Sequence, residues 1–278
     1  MPWARTGRLA RLPSRMQPAV FTGRSLHSGM ERSENKTDYI SLALPEGEIS
    51  MTTIFSSDVR CAVCGQESHV SQIGSTNSFG SPDLDTRPPE MKRSTIWAWV
   101  SCCPGCGYCA SDLAEDVGEL NAIVHSPDYQ ARLKDERCPA KANEFLCQAL
   151  IAKHLGRLQD AVWATLHATW ICDDSAEHAQ QAIECRKAAL ALLLEAERAG
   201  DPMFDEPAGS GAMRVDLLRR SGDFPAARAA VDSMIVGADE SIIRSILVFQ
   251  KHLIETGDAA AHLVSEAVDF VEKKGKRQ

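Results

Sequence analysis

Apolar residues recur every three or four positions through much of the second half of the chain, which is the spacing of one helix face. Between Lys141 and Asp173 this period is interrupted at Gly156, so the pattern predicts two helices joined by a turn there. The stretch from Ala176 to Gly200 predicts one long helix without a central turn. The segment 201–211, rich in proline and glycine, is predicted to be a loop.

The first predicted helix pair resembles a tetratricopeptide repeat, in which small residues stand where two helices approach closely. The matching positions are Phe145, Ala149, Gly156, Ala161 and Ala168. Its glycine turn recurs at Gly222 and more weakly at Gly257, close to multiples of the repeat length of about 34 residues. A generic helical bundle has the same periodicity and is the alternative. Trp163 and Trp170, seven residues apart, are expected in the core of this body.

Strand patterns occur in the region that contains the cysteine pairs. In the segment 95–101, Ile96, Ala98 and Val100 alternate with Trp97 and Trp99, which predicts a strand. The segment 70–73 is a weaker strand candidate. Both candidates lie beside cysteine pairs, so the pairs are expected at hairpin tips that the strands bring together.

Two cysteine turns carry the strongest chemical signal. They read Cys61-Ala-Val-Cys64-Gly and Cys103-Pro-Gly-Cys106-Gly-Tyr. Four thiolates are the ligand set of a tetrahedral structural zinc site, and they leave no open position for a catalytic water. The sequence therefore predicts one structural zinc ion bound by Cys61, Cys64, Cys103 and Cys106.

Other ligand sets stay open at this point. Cys102 and Cys109 flank the second pair, and the spacing from Cys103 to Cys109 begins like an iron–sulfur cluster motif, but Leu113 stands where that motif needs cysteine. His69 is a further candidate ligand. The four remaining cysteines lie in helical sequence and are expected to be small buried apolar residues, which favours a reducing cytoplasmic compartment. They are Cys138, Cys147, Cys172 and Cys185.

Between the cysteine pairs lies a long polar segment, 74–94, that contains Asp83, Asp85 and Arg87. Loops of this length are often functional, so these three residues are candidates for binding a ligand or a partner. The alternative is an ion-pair cluster that closes the domain, with Asp83 and Asp85 paired to Arg87.

Charge excludes some classes of function. The chain of 278 residues has a net charge of −8, which disfavours nucleic-acid binding. No apolar run approaches the roughly 20 residues that span a bilayer. The first 30 residues contain five arginines and no acid, so residues 1–50 are interpreted as a disordered extension or false start, with an organellar transit peptide as the alternative.

The order of these features resembles the bacterial family called domain of unknown function 2225. The resemblance rests on both cysteine turns, on the Pro-Asp-Leu-Asp-Thr-Arg-Pro stretch from residue 82 and on Trp97-Ala-Trp-Val, and it covers about residues 60–270. It implies a zinc-ribbon-like head on a tetratricopeptide-like helical body. It implies no activity.

Together these patterns predict an α+β fold that is mostly α. The expected parts are the extension 1–50, a zinc-ribbon-like β module over 51–135 and a tetratricopeptide-like helical stack over 136–278. No phosphate-binding loop, dinucleotide fingerprint or metalloprotease motif occurs. We therefore expect a non-enzymatic cytoplasmic protein that binds an unidentified protein or peptide. The alternative is an enzyme or small-ligand sensor that uses Asp83, Asp85 and Arg87 beside the zinc site.

Overall fold

The computed structural model describes residues 52–115, 118–204, 206–235 and 242–276. The predicted extension 1–50 lies outside the described residues. The described chain starts with an antiparallel hairpin of β1 (Thr52–Arg60) and β2 (Glu67–Thr76). β2 contains the predicted strand 70–73. The hairpin ends at the first cysteine turn, as expected from the sequence.

The second cysteine turn also lies at the tip of a hairpin, formed by β3 (Ser101–Cys102) and β4 (Cys109–Ala110). The predicted strand over 95–101 is wrong, because Arg93–Ala98 forms a 3₁₀ helix. Ile96 and Val100 are both buried, and their spacing fits a helical turn as well as a strand. The Thr95 hydroxyl closes this turn by donating to the Lys92 carbonyl at 2.7 Å.

Helices make up most of the rest of the described chain. In order they are α1 (Asn121–Val124), α2 (Pro127–Leu133), α3 (Ala140–His154), α4 (Leu158–Asp173), α5 (Ala179–Ala199), α6 (Pro207–Arg220), α7 (Phe224–Ile235), α8 (Ile242–Glu255) and α9 (Val264–Gly275). The predicted helix pair is confirmed as α3 and α4, with Gly156 in the left-handed region between them at φ 71°. The long helix predicted after Ala176 is confirmed as α5, preceded by a 3₁₀ turn. The fold is α+β and mostly α, as predicted.

The predicted loop 201–211 is wrong in its second half, because α6 begins at Pro207. Proline suits the first helical position, where no N–H is needed and its fixed φ is already helical. Gly209 and Gly211 lie inside this helix at positions where neighbouring side chains leave little room for a β-carbon. A β-carbon at Gly211 would lie 2.2 Å from the Met234 side chain, and one at Gly209 would lie 3.1 Å from Phe204.

Each helix from α2 onwards packs against the next in the chain, and α6 also packs against α8. The predicted glycine turns at Gly222 and Gly257 lie between α6 and α7 and between α8 and α9, and both glycines have positive φ. Packing between sequence neighbours is typical of helical repeat stacks. The relation to tetratricopeptide repeats itself stays a prediction.

The apolar core runs across residue 135, where the sequence predicts a domain boundary. One cluster of buried residues joins Tyr108 of the second cysteine turn to Tyr129 on α2, Phe145 on α3 and Leu217 on α6. A second cluster fills the space between α6, α7, α8 and α9 and includes Leu84. The cysteine turns and the first helices therefore share one core.

The connecting segment (residues 77–92) links β2 to the 3₁₀ helix and reaches the start of α9. The Leu84 N–H donates to the His262 carbonyl at 2.8 Å, and the Val264 N–H donates to the Pro82 carbonyl at 2.9 Å. The segment between the cysteine pairs is thus fixed against the last helix of the stack.

Candidate metal centre

The four predicted cysteines lie together. Their sulfur atoms are all within 4.8 Å of one another. The Cys61 and Cys106 sulfurs are 3.8 Å apart, and those of Cys64 and Cys103 are 3.6 Å apart. Four sulfurs placed tetrahedrally about 2.3 Å from one ion are separated by about 3.8 Å, whereas a disulfide bond is about 2.05 Å long. The donor set therefore fits one tetrahedral metal ion and could hold it.

Both cysteine turns have the same backbone geometry. The N–H of Gly65 donates to the Cys61 carbonyl at 2.8 Å, and that of Gly107 donates to the Cys103 carbonyl at 2.9 Å. In each turn the N–H of the first cysteine donates to the carbonyl of the residue after the glycine, at 2.9 and 2.7 Å. Gly65 and Gly107 have φ of 73° and 80°, which glycine adopts without steric cost. The CxxCG pattern is thus explained by the shape of the turn.

The surroundings of the thiols differ. The backbone N–H of Gln66 lowers the pKa of Cys64 to about 7, whereas burial raises the pKa values of Cys61 and Cys106. Crowding four thiolates is costly unless a cation compensates their charge, and metal binding releases the thiol protons. This is the chemistry expected of a site that is complete only with its metal.

The other candidate ligands lie outside the sulfur cluster. Cys102 and Cys109 face each other across the β3–β4 pair, and the Cys109 thiol donates to the Gly107 carbonyl at 3.3 Å. The His69 ring lies on the exposed surface, 3.0 Å from the carboxylate of Asp58. Within the described ranges, the cluster of four cysteines is the only group of three or more such side chains close enough to share a metal ion.

The second cysteine turn is fixed to α2. The Tyr129 hydroxyl donates to the Gly107 carbonyl at 2.9 Å and accepts from the Cys109 N–H at 3.1 Å. The Gln130 amide donates to the Cys106 carbonyl at 3.3 Å. Tyr129 is completely buried, so these bonds form inside the shared core. The metal centre is therefore held against the helices as well as by its own hairpins.

Asp83, Asp85 and Arg87 are all buried. Their predicted mutual pairing is wrong for the side chains, because each carboxylate or guanidinium has a partner elsewhere in the chain. Asp83 pairs with Arg93 at 2.6 Å, and Arg87 pairs with Asp174 at 2.7 Å. Only the backbone N–H of Arg87 contacts Asp85, at 3.2 Å.

Asp85 is the centre of a buried network that the sequence did not reveal. Its carboxylate accepts from Arg220 on α6 at 2.6 Å and from the indole N–H of Trp170 on α4 at 3.0 Å. Arg220 also pairs with Asp173, which in turn contacts Arg186 on α5. Burial raises the pKa of Asp85, and the charge of Arg220 opposes that rise. The network ties the connecting segment to three helices.

No pattern in the sequence distinguishes Arg220, Asp173 or Arg186 from ordinary charged helix positions. Asp173 and Arg186 stand in helices whose other charges are mostly exposed, whereas α6 buries Asp216 and Arg219 beside Arg220. The partners within the network are distant in sequence. A run of charge on an amphipathic helix is most often a solvated face, so sequence reasoning alone had no signal for this network.

Comparisons with known proteins add no family assignment. A scan against protein-family models gave no match, and searches of curated proteins and of solved structures gave none either. The resemblance to domain of unknown function 2225 therefore stays a proposal. Among the described helices, none is long and apolar enough to cross a membrane.

Proposed function

We propose that this chain is a non-catalytic zinc protein that binds another protein through its helical stack. The observation that carries the proposal is the closed set of four sulfurs, Cys61, Cys64, Cys103 and Cys106, at the separations of a tetrahedral site. Thiolate ligands and tetrahedral geometry favour zinc among the common biological metals. Four protein ligands leave no position for a substrate or a catalytic water.

A structural role for zinc follows from the size of the two hairpins. Isolated two-stranded hairpins are marginally stable in water, and β3 and β4 contain only two residues each. One ion bound by both turns would hold them together and keep the second turn seated on α2. Metal binding would then contribute directly to folding.

The helical stack supports the protein-binding part of the proposal. Helices that pack mainly on their sequence neighbours form extended surfaces, which suit peptides and protein segments. A cytoplasmic location belongs to the same proposal. It is supported by the cysteines, because four of the ten form the metal-type cluster and none of the ten is in a disulfide.

The alternative is an enzyme or ligand sensor that works through Asp83, Asp85 and Arg87. It has less support, because all three side chains are buried and engaged with partners in the same chain. A ligand would have to displace those ion pairs in order to reach them. We therefore assign the three residues to holding the connecting segment in place.

The test begins with metal content. Elemental analysis of the purified chain should find one zinc ion per molecule, and Cys64→Ser should lose most of it. Cys138→Ser is the matched control, because Cys138 is a partly buried cysteine outside the cluster and should retain the metal. Iron in place of zinc, or equal zinc in both variants, would contradict the assignment.

The binding part needs a partner reconstituted from purified components. We expect affinity capture with the zinc-loaded chain to yield a protein that then binds stoichiometrically in isolation. Loss of that binding in a helix-surface variant with normal zinc content would locate the interface on the stack. Turnover of a small molecule by the purified chain would refute the non-catalytic assignment.

A further inference from the structure

A cavity of about 280 Å³ opens between the second cysteine turn and the helix pair α3–α4. Helix α4 lines it with Asp160, Trp163, Ala164 and His167, whose spacing places them on one helix face. The wall opposite includes Tyr108 of the cysteine turn. The cavity therefore lies where the metal-bearing hairpin meets the helical body.

Small residues leave this space open. Ala152 on α3 and Ala164 on α4 both line the cavity and are buried. They belong to a cluster of alanines at which the two helices approach each other. A larger side chain at either alanine would occupy part of this space.

The inner part of the cavity is aromatic. The His167 ring lies 5.0 Å from Trp99 and 5.0 Å from Trp170, measured between ring centroids. The Trp163 ring lies 6.3 Å from that of His167 and is tilted by 34°. Trp99, Trp163 and His167 all line the cavity. Such walls favour a flat ring, because aromatic faces and edges pack best against other rings.

Three polar groups at this site have no hydrogen-bond partner among the described residues. They are the imidazole of His167, the amide of Gln148 and the indole N–H of Trp163. The neighbouring indole of Trp99 differs, because its N–H donates to the Thr95 hydroxyl at 2.9 Å. All three residues are only partly buried, so a bound molecule can reach these groups and pair with them.

His167 is neutral near pH 7, since burial lowers its pKa to about 4. A neutral imidazole offers one donor and one acceptor, and the Gln148 amide offers both kinds of group as well. The complementary ligand therefore carries donors and acceptors on the same edge. A purely apolar ring would leave these groups unpaired.

Charge at the mouth limits the choice further. Glu115, Arg157 and Asp160 are exposed there, and the Arg157 guanidinium lies 3.7 Å from Glu115 and 3.6 Å from Asp160. One cation stands against two carboxylates, so a phosphate or carboxylate at this position would be repelled. The mouth suits a neutral polar group.

We propose that this cavity binds an uncharged planar nitrogen heterocycle of the nucleobase class, carried on a sugar that lies at the mouth. The volume is just below the range of about 300–1,000 Å³ found for most ligand sites, which suits a single ring system. The base stacks within the aromatic walls and pairs with His167 and Gln148. This proposal goes beyond the protein-binding function proposed above.

The test is calorimetric titration of the zinc-loaded full chain with adenosine, guanosine, cytidine and uridine. At least one nucleoside should bind with one-to-one stoichiometry. Its 5′-monophosphate should bind more weakly, by a factor of about ten or more. His167→Phe keeps the ring contacts and removes the polar edge, so it should weaken binding about tenfold or more while the melting temperature is kept. Gln148→Leu should weaken binding in the same direction.

The matched control is His252→Phe, which changes a histidine stacked on Phe270 outside the cavity and should leave affinity unchanged. The proposal is overturned if no nucleoside binds at millimolar concentration, or if His167→Phe and Gln148→Leu bind as tightly as the unaltered chain. Equal affinity for the monophosphate would overturn the requirement for an uncharged ligand. Tighter binding of choline than of every nucleoside would overturn the heterocycle and indicate a cation.

Discussion

His167 should make the stability of this protein depend on pH in a way that one substitution removes. Its imidazole lies among the rings of Trp99, Phe145 and Trp170, at centroid distances of 5.0 to 5.1 Å. Burial lowers its pKa from 6.5 to about 4. Between these two values the unfolded chain binds a proton that the folded chain does not, so stability falls as the pH is lowered from 6.5 towards 4.

The size of the effect follows from the pKa difference. At about pH 5 the unfolded state gains roughly 2 kcal/mol relative to the folded state from this one group, and near pH 7 it gains almost nothing. His167→Phe cannot be protonated and keeps the aromatic packing. The difference in unfolding free energy between the variant and the unaltered chain should therefore shift by about 2 kcal/mol in favour of the variant between pH 7 and pH 5.

The assay is urea unfolding of both proteins at several pH values, with zinc content measured in the same samples. Acid also protonates the cysteine thiolates and weakens metal binding, but that effect is common to both proteins and cancels in the difference. If the two stability curves run parallel between pH 7 and pH 5, the histidine is not held neutral by its surroundings and the reasoning is refuted.

Three further perturbations test the rest of the structure. Asp85→Ala removes a buried partner of Arg220 and should lower the unfolding free energy by about 3–5 kcal/mol. Urea unfolding measures this change, and the control Asp58→Ala, at an exposed position, should change the unfolding free energy little. Gly107→Ala places a β-carbon 2.5 Å from Leu133 at a positive φ, so it should destabilise more than Gly156→Ala, which has positive φ and open space. Chelation of the metal should lower the melting temperature in calorimetry, and an unchanged melting temperature would show that the ion is not structural.

The metal centre was predictable because its information is local. Each CxxCG turn fixes its own backbone, and two such turns specify a ligand set without knowledge of the fold. The helix pair around Gly156 was predictable for the same reason, since the helical spacing of apolar residues and the glycine that interrupts it lie within one segment. The strand expected at 95–101 was wrong because the spacing of Ile96 and Val100 fits a helical turn as well as a strand. Only the packing of Trp99 on α4 decides between helix and strand.

Burial of the charged residues was not predictable, because it depends on contacts between distant segments. Asp85 meets Arg220 across 135 residues of sequence, and Arg87 meets Asp174 across 87. Each of these residues alone fits an exposed loop or a solvated helix face. The cavity beside His167 was missed for a similar reason, since its walls come from a turn and two helices that only the tertiary fold brings together.

The course of the connecting segment has a consequence for synthesis on the ribosome. All four cysteines emerge early, so a nascent chain can capture its metal before most of the helices exist. The segment between the cysteine pairs, however, hydrogen-bonds to His262 and Val264 at the start of the last helix. A metal-loaded nascent chain thus carries an undocked segment, in which Asp85 lacks its partner Arg220 until α6 has been made and the hydrogen bonds to His262 and Val264 wait for the start of α9. Synthesis of the start of α9, rather than metal capture, is the event that lets this fold close.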